Sequence, residues 1–385
     1  MEEKHMEVVP GLAGILAAES AISYVDGEKG ILEYRGIPVE LLAEKSTFLE
    51  VAYLLLFGKL PNAAEYKNFR SDITYHTRLK VKILRMIEFL PENGHPMEYL
   101  QSVVAAMGMY YPARDVMNEE VRYSSIIRLI AKMPTIVAAC ERLRHGDAPI
   151  QPNNELSFAA NFYYMLFEKV PDTFTEKILD AMLILHADHT MNASTFSARV
   201  VGSTLADPYT IAASAIGTLS GPLHGGANEK VVHMLREIGT KENARPYIEK
   251  MINNHEKIMG MGHRVYKTKD PRAGFLQICA RQLFKSDSAA DASNLLEIAE
   301  EVEKVALEKL AKKKIYPNVD FYSGIVLHAI GIPTELYTPI FAMGRVAGWL
   351  AHWLEQLKTN KIYRPDQKYI GLRNQKYVPM EKRKG

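Results

Sequence analysis

SNLLEIAEEVEKVALEKLAKK, residues 293–313, decides the fold class. Leu295, Leu296, Ile298, Ala299, Val302, Val305, Ala306 and Leu310 recur at steps of three and four, which puts them on one stripe of a surface helix. The same period recurs outward along most of the 385 residues. Thr47 and Glu50 have the spacing of a capping box, opening an apolar run that closes at Gly58 and Pro61. Asp207-Pro208 supplies an N-cap and a proline at the first helical position. Residues 227–238 read as a helix stopped by Gly239. Further helices are expected near 63–90, 97–110, 121–143, 155–168, 173–203 and 334–357, the last carrying both tryptophans, Trp349 and Trp353. One segment departs from this period. AISYVDGEKGILEYRG (21–36) has two short β-prone runs around Asp26-Gly27 and predicts a hairpin. No linker divides the chain and no fixed period repeats, so a closely packed helical protein of one or two domains is expected rather than a solenoid.

Composition is that of an ordinary globular protein, 47% hydrophobic and 24% charged. A formal net charge of +2 excludes a bulk polycation built for nucleic acid. Cys140 and Cys279, with no C-x-x-C spacing, exclude a disulfide scaffold and a multi-cysteine zinc site, and fit a reducing compartment. The longest uncharged stretch, 208–228, is too polar for a membrane span. The opening MEEKHMEVVPG lacks the basic-then-apolar pattern of a leader. A cytoplasmic protein without nucleic-acid or membrane partners is therefore expected. Charge is uneven, however. Residues 1–50 are acidic, and residues 358–385 hold nine basic groups against two acidic ones. Such a tail suits either an anionic partner or plain solvent.

Standard nucleotide, zinc-protease and hydrolase motifs are absent, and four segments remain. In LHADHTMN (185–192), His186 and His189 at i,i+3 would share a helix face, as metal ligands or as a buried polar pair. In SGPLHGGAN (220–228), His224 precedes two glycines and a helix start, where an imidazole tends to stay neutral and donate a hydrogen bond. In MGMGHRVYKTKDPR (259–272), His263, Arg264, Lys267 and Arg272 form a basic loop fit for carboxylate or phosphate, or a solvated one. In YPNVDFYSG (316–324), Asp320 stands before a helix, where an N-cap role would lower its pKa and weaken it as a base. Two separable histidines, a carboxylate and several arginines together suit proton abstraction beside a carbonyl.

At GPLHGGAN (221–228), GMGHRVYKTKDPR (260–272) and YPNVDFYSG (316–324) the chain resembles citrate synthase, and the likeness runs from VDGEKGIL (25–32) to YRP (363–365). It is similar to the short prokaryotic form, usually a homodimer. The resemblance implies an all-α fold with a short N-terminal hairpin. A large domain (1–226 and 335–385) would serve dimerisation and oxaloacetate. A small domain (227–334) would carry the CoA site, His263 and Asp320. It implies Claisen-type condensation of acetyl-CoA with oxaloacetate, then hydrolysis of citryl-CoA to citrate and CoA. Asp320 would take the methyl proton, His224 would hydrogen-bond the thioester oxygen, and His263 would polarise and protonate the ketone. His189, Arg272, Arg345 and, from the partner subunit, Arg364 would bind oxaloacetate, His189 and His263 counting among the positive groups. Arg264, Lys267, Lys312, Lys313 and Lys314 would meet CoA phosphates. No metal or cofactor is implied, acetyl-CoA being a substrate. Thr190 departs from the family pattern, which often has glutamate there, and removes a negative charge near the site. The rivals are a 2-methylcitrate synthase using propionyl-CoA, one methylene apart in pocket room, and a catalytically silent helical scaffold dimer.

Overall fold

The computed structural model describes residues 8–284 and 290–383; the rest of the acidic opening (1–7), residues 285–289 and the last two of the basic tail lie outside the described residues. Sixteen helices are described: α1 (Val39–Lys45), α2 (Phe48–Phe57), α3 (Ala63–Tyr75), α4 (Val81–Glu88), α5 (Pro96–Tyr110), α6 (Glu119–Arg144), α7 (Phe158–Phe167), α8 (Thr173–His186), α9 (Ala193–Gly202), α10 (Pro208–Leu219), α11 (Ala227–Ile238), α12 (Lys241–Asn253), α13 (Pro271–Leu283), α14 (Ala290–Leu310), α15 (Val319–Ala329) and α16 (Tyr337–Leu357). The only sheet among the described residues is antiparallel, with β1 (Ser23–Asp26), β2 (Ile31–Tyr34) and β3 (Ile37–Pro38) in order. The expected hairpin is β1–β2, with Asp26 opposite Ile31, and the third strand is an addition.

Local chemistry sets these limits. Thr47 and Glu50 form the capping box of α2, and Gly58 closes that helix. Asp207 caps α10 with Pro208 at its first position. Two stretches expected as single helices are divided. Between α3 and α4, Lys132 Nζ of α6 donates to the carbonyl of His76 at 2.6 Å and to that of Arg78, and Thr135 Oγ1 donates to that of Thr77 at 2.8 Å. Carbonyls captured in this way are not available to a continuing helix. Between α8 and α9, Asn192 begins a new helix by accepting the N–H of Thr195 at 3.1 Å.

α16 is the hub. Every residue from Tyr337 to Trp353 is buried, and the helix packs against α2, α5, α6, α8, α9, α10 and α11. Gly344 allows the close crossing with α8, since a Cβ there would lie 2.5 Å from the carbonyl oxygen of Leu183. α6 is the one described helix long and apolar enough to cross a bilayer, but α3, α4, α5, α7, α10 and α16 surround it as a core helix. Helices α11 to α15 pack mainly on one another, and the stripe of α14 from Leu295 to Leu310 is buried among them as its period requires. Cys140 and Cys279 are buried and free.

The loop before α13 is zipped to the segment before α15. Met261 and Pro317 form an antiparallel bridge, Gly262 N donates to Tyr316 O at 2.7 Å, and Asn318 N donates to Gly260 O at 2.9 Å. Lys267 N donates to Gly27 O at 2.8 Å, so the hairpin tip braces the same loop. Gly260 has φ +73°, and a Cβ there would stand 2.7 Å from Val231 Cγ2 and 2.8 Å from Phe321 Cα. Gly260→Ala combines a left-handed backbone penalty with overpacking and is expected to cost about 2–4 kcal/mol of stability in denaturant unfolding. A loss below about 1 kcal/mol would mean the zipper yields.

Candidate active site

Asp320 lies in the first turn of α15, but it is not the cap. Asn318 caps the helix, accepting the N–H of Asp320 at 2.9 Å, while its amide donates to Gly262 O at 2.9 Å. Of the two readings of Asp320, the N-cap with a lowered pKa does not hold. Oδ1 of Asp320 is shut from solvent and has no hydrogen-bond partner among the described residues. Burial pushes the carboxyl up to about 7; Arg272 and Arg345 pull it down and Asp270 pushes it further up.

The two candidate catalytic imidazoles are held through opposite nitrogens. Ser194 N–H in the first turn of α9 donates to His224 Nε2 at 3.2 Å, and Ser194 Oγ lies 2.9 Å from the same nitrogen. A backbone N–H can only donate, so Nε2 accepts and the ring proton sits on Nδ1. In the loop, the N–H groups of Val265 and Tyr266 point at His263 Nδ1, at 3.0 and 3.3 Å, which leaves the proton on Nε2. Burial lowers both rings to about 4, with Arg345 assisting at His224 and Arg272 at His263. Both are therefore neutral donors near pH 7, as expected for His224. For His263 this corrects the expectation of a cation.

His189 is corrected in two ways. α8 ends at His186, so the two histidines do not share a helix face. The chain turns at Asp188, which accepts from the Ser23 hydroxyl and from Thr190 N, the latter at 3.1 Å. Burial, with Arg272, His263 and Arg345, holds His189 well below its ordinary range, so it too is neutral. Its ring lies 5.1 Å from that of His263, and its Nε2 is 3.2 Å from Tyr266 Oη. Thr190 stands at φ 49°, and its N–H also donates to Ser23 Oγ at 3.1 Å. The backbone therefore does the holding at this position.

Arg272 and Arg345 are buried in the same region. Asp270 grips Arg272 bidentately, Nε to Oδ1 at 3.0 Å and Nη2 to Oδ2 at 2.7 Å. Burial works against the Arg272 charge, but Asp270 outweighs it and raises the pKa. Burial lowers Arg345 to about 10, offset in part by Asp188, so it remains a cation. Its Nε donates to the carbonyl of His186 at 2.6 Å, and its guanidinium sits 4.7 Å from the centre of the Phe341 ring.

Arg364 is not brought to this cluster within its own chain. It is 82% exposed on the extended tail beyond α16 and pairs with Asp366 at 3.5 Å. Arg264, Lys267, Lys312, Lys313 and Lys314 are exposed, and Lys314 pairs with Glu28 at 3.0 Å. Among the described residues, no three His, Cys, Asp or Glu side chains gather as a metal site. Ser194, Tyr266, Asp270 and Asn318 were missed at the sequence level. Asn318, two residues before Asp320, and Asp270, directly before Pro271, each carried a local signal as a preferred cap residue; Ser194 and Tyr266 carried none.

Buried cations, neutral imidazole donors and an unpartnered carboxylate make an arrangement for polarising a carbonyl next to a base. A sequence profile described as "Citrate synthase, C-terminal domain" matches residues 11–366. The chain is 57% identical to a citrate synthase of Synechocystis over 97% of its length and 93% of that protein. Its fold superposes on citrate synthase from Pyrobaculum aerophilum with a TM-score of 0.92 at 42% identity, covering 98% of this chain and 95% of that one. Citrate synthase from Thermoplasma acidophilum, solved as a ternary complex with carboxymethyl coenzyme A and oxaloacetate, superposes with a TM-score of 0.93 at 31% identity over 98% of this chain and 100% of that one. By profile, identity and fold alike, this chain belongs to the citrate synthase family of acyltransferases.

Proposed function

We propose that the chain condenses acetyl-CoA with oxaloacetate and hydrolyses the resulting citryl-CoA. Asp320 takes a methyl proton from acetyl-CoA, and His224 Nδ1–H donates to the thioester oxygen as charge develops there. The enol carbon attacks the ketone carbon of oxaloacetate, and His263 Nε2–H polarises that oxygen and passes it a proton. Water then cleaves the thioester, yielding citrate and the CoA thiol. The observation that carries the reading is the dry, unpartnered Oδ1 of Asp320 beside Arg272 and Arg345. His189, Arg272 and Arg345 bind the two carboxylates. Arg264, Lys267 and the run Lys312 to Lys314 meet the phosphates of CoA. No cofactor takes part, and the enzyme works in the cytoplasm. Residues 227–334 form the domain that closes over the large domain and excludes water.

The active unit in this reading is a homodimer in which Arg364 completes the partner's pocket. Supporting it are the exposed, extended tail and its uncovered apolar side chains, Ile362, Tyr369, Ile370, Leu372 and Tyr377. Surfaces of that kind are covered by another chain more often than left to water.

Four measurements test this function. Thiol release with oxaloacetate is expected to be faster in kcat/KM with acetyl-CoA than with propionyl-CoA; the reverse order makes the chain a 2-methylcitrate synthase. Since Asp320 acts unprotonated, kcat/KM should rise about tenfold per pH unit below about 7 and level off above it.

Asp320→Asn should lose activity about 10²–10⁴-fold and yet be more stable than wild type at pH 8. The sign follows from linkage. A carboxyl raised from 3.8 to about 7 on folding favours the folded state only when protonated, so wild-type stability falls as pH rises between those values. The variant's gain is up to about 4 kcal/mol at pH 8 and shrinks towards pH 4. Equal stability of both proteins at pH 8 would mean the carboxylate is better solvated than its burial implies.

Arg364→Ala and His224→Ala, each nearly inactive alone, should recover roughly a quarter of wild-type activity when mixed and allowed to exchange subunits. Half the dimers are then mixed, and each of those has one intact site. No recovery with exchange demonstrated would place every site within one chain.

A further inference from the structure

Tyr266 is 1% exposed and packs against both imidazoles that face oxaloacetate in the proposed function. Its ring centre lies 5.5 Å from that of His189 and 4.9 Å from that of His263, and the two histidine rings are 5.1 Å apart. Its phenol oxygen is 3.2 Å from His189 Nε2, and its own backbone N–H donates to His263 Nδ1 at 3.3 Å. One residue thus grips one histidine by its side chain and the other by its main chain. The next residue, Lys267, is tied to Gly27 of the hairpin, so the grip is anchored outside the loop.

We propose that Tyr266 is a positioning residue for oxaloacetate recognition, its hydroxyl fixing the ring plane of His189 while its backbone N–H fixes that of His263, so that both imidazoles address one ligand. The proposal rests on the reading of His189 as an oxaloacetate ligand. A phenol suits the task because it donates to a bare nitrogen and accepts from a protonated one. It can therefore hold His189 whichever way the imidazole proton moves when a dianion enters beside Arg272 and Arg345. Phenylalanine keeps the ring contacts and does neither.

The test is a double-mutant cycle on the full chain with Tyr266→Phe, His189→Ala and the pair, reading kcat, both KM values and the thermal midpoint. Tyr266→Phe is expected to raise the oxaloacetate KM about three- to tenfold, the size of one lost hydrogen bond, and to leave the acetyl-CoA KM unchanged. In the His189→Ala background the same change should add less than about twofold, because the group it acts through is gone. A general loosening of the loop would instead give the same factor in both backgrounds. The ¹⁵N resonance of His189 Nε2 should also move in Tyr266→Phe, independently of turnover. An unchanged oxaloacetate KM, an unmoved resonance or full additivity overturns the proposal. If His189→Ala, or His189→Gln should alanine not fold, leaves the oxaloacetate KM at its wild-type value, the assignment of His189 falls first and the role of Tyr266 with it.

Discussion

Everything around the site answers one constraint: one oxygen of a carboxylate, Oδ1 of Asp320, must be kept dry and unpaired beside two arginines. An arginine left free would bind Asp320 and reduce it to a weak base. Asp270 prevents this by occupying two nitrogens of Arg272. The backbone zipper from Gly260 to Asn318 then sets the distance between that ion pair and α15. The charge balance is local. Arg272 has its own counterion, Arg345 feels Asp188, and Oδ1 of Asp320 receives no bond from the described residues. Such a carboxyl is costly to the folded state, and the closely packed core around α16 supports that cost.

The histidines follow the same logic. Their charge is suppressed by burial and their tautomers are set by backbone N–H groups, which neither titrate nor rotate. His224 accepts a free N–H at the start of α9, and His263 accepts two from its own loop. The N–H that each ring presents is therefore fixed before any ligand arrives, which is the preorganisation that makes a neutral donor effective in a dry site.

Much of this was legible in the chain. Helix starts at Thr47 and Asp207, the stop at Gly239 and the stripe of α14 depend on side chains within one or two turns, and pattern reading handles such spans well. The break between α3 and α4 depends on Lys132, more than fifty residues away, so no local window could contain it. Protonation was illegible for the same reason. Whether His189 is a cation depends first on its burial and then on Arg272, His263 and Arg345 arriving from two other parts of the chain. The sequence leaves Asp320 open between cap and base, because both Asn318 and Asp320 are residues that cap helices, and only the geometry assigns the cap to Asn318.

The two cysteines gain a meaning from the proposed chemistry. A mixed disulfide between an enzyme cysteine and CoA would need an oxidant, or a CoA molecule already oxidised to its disulfide. Attack on a disulfide needs a thiolate, and burial pushes Cys279 up to about 11 and Cys140 higher still. Both sulfurs are enclosed in helices, Cys140 in α6 and Cys279 in α13. Both cysteines are thus held as poor nucleophiles while the chain stays folded, and a colour reagent for free thiols is expected to register released CoA above a low protein background.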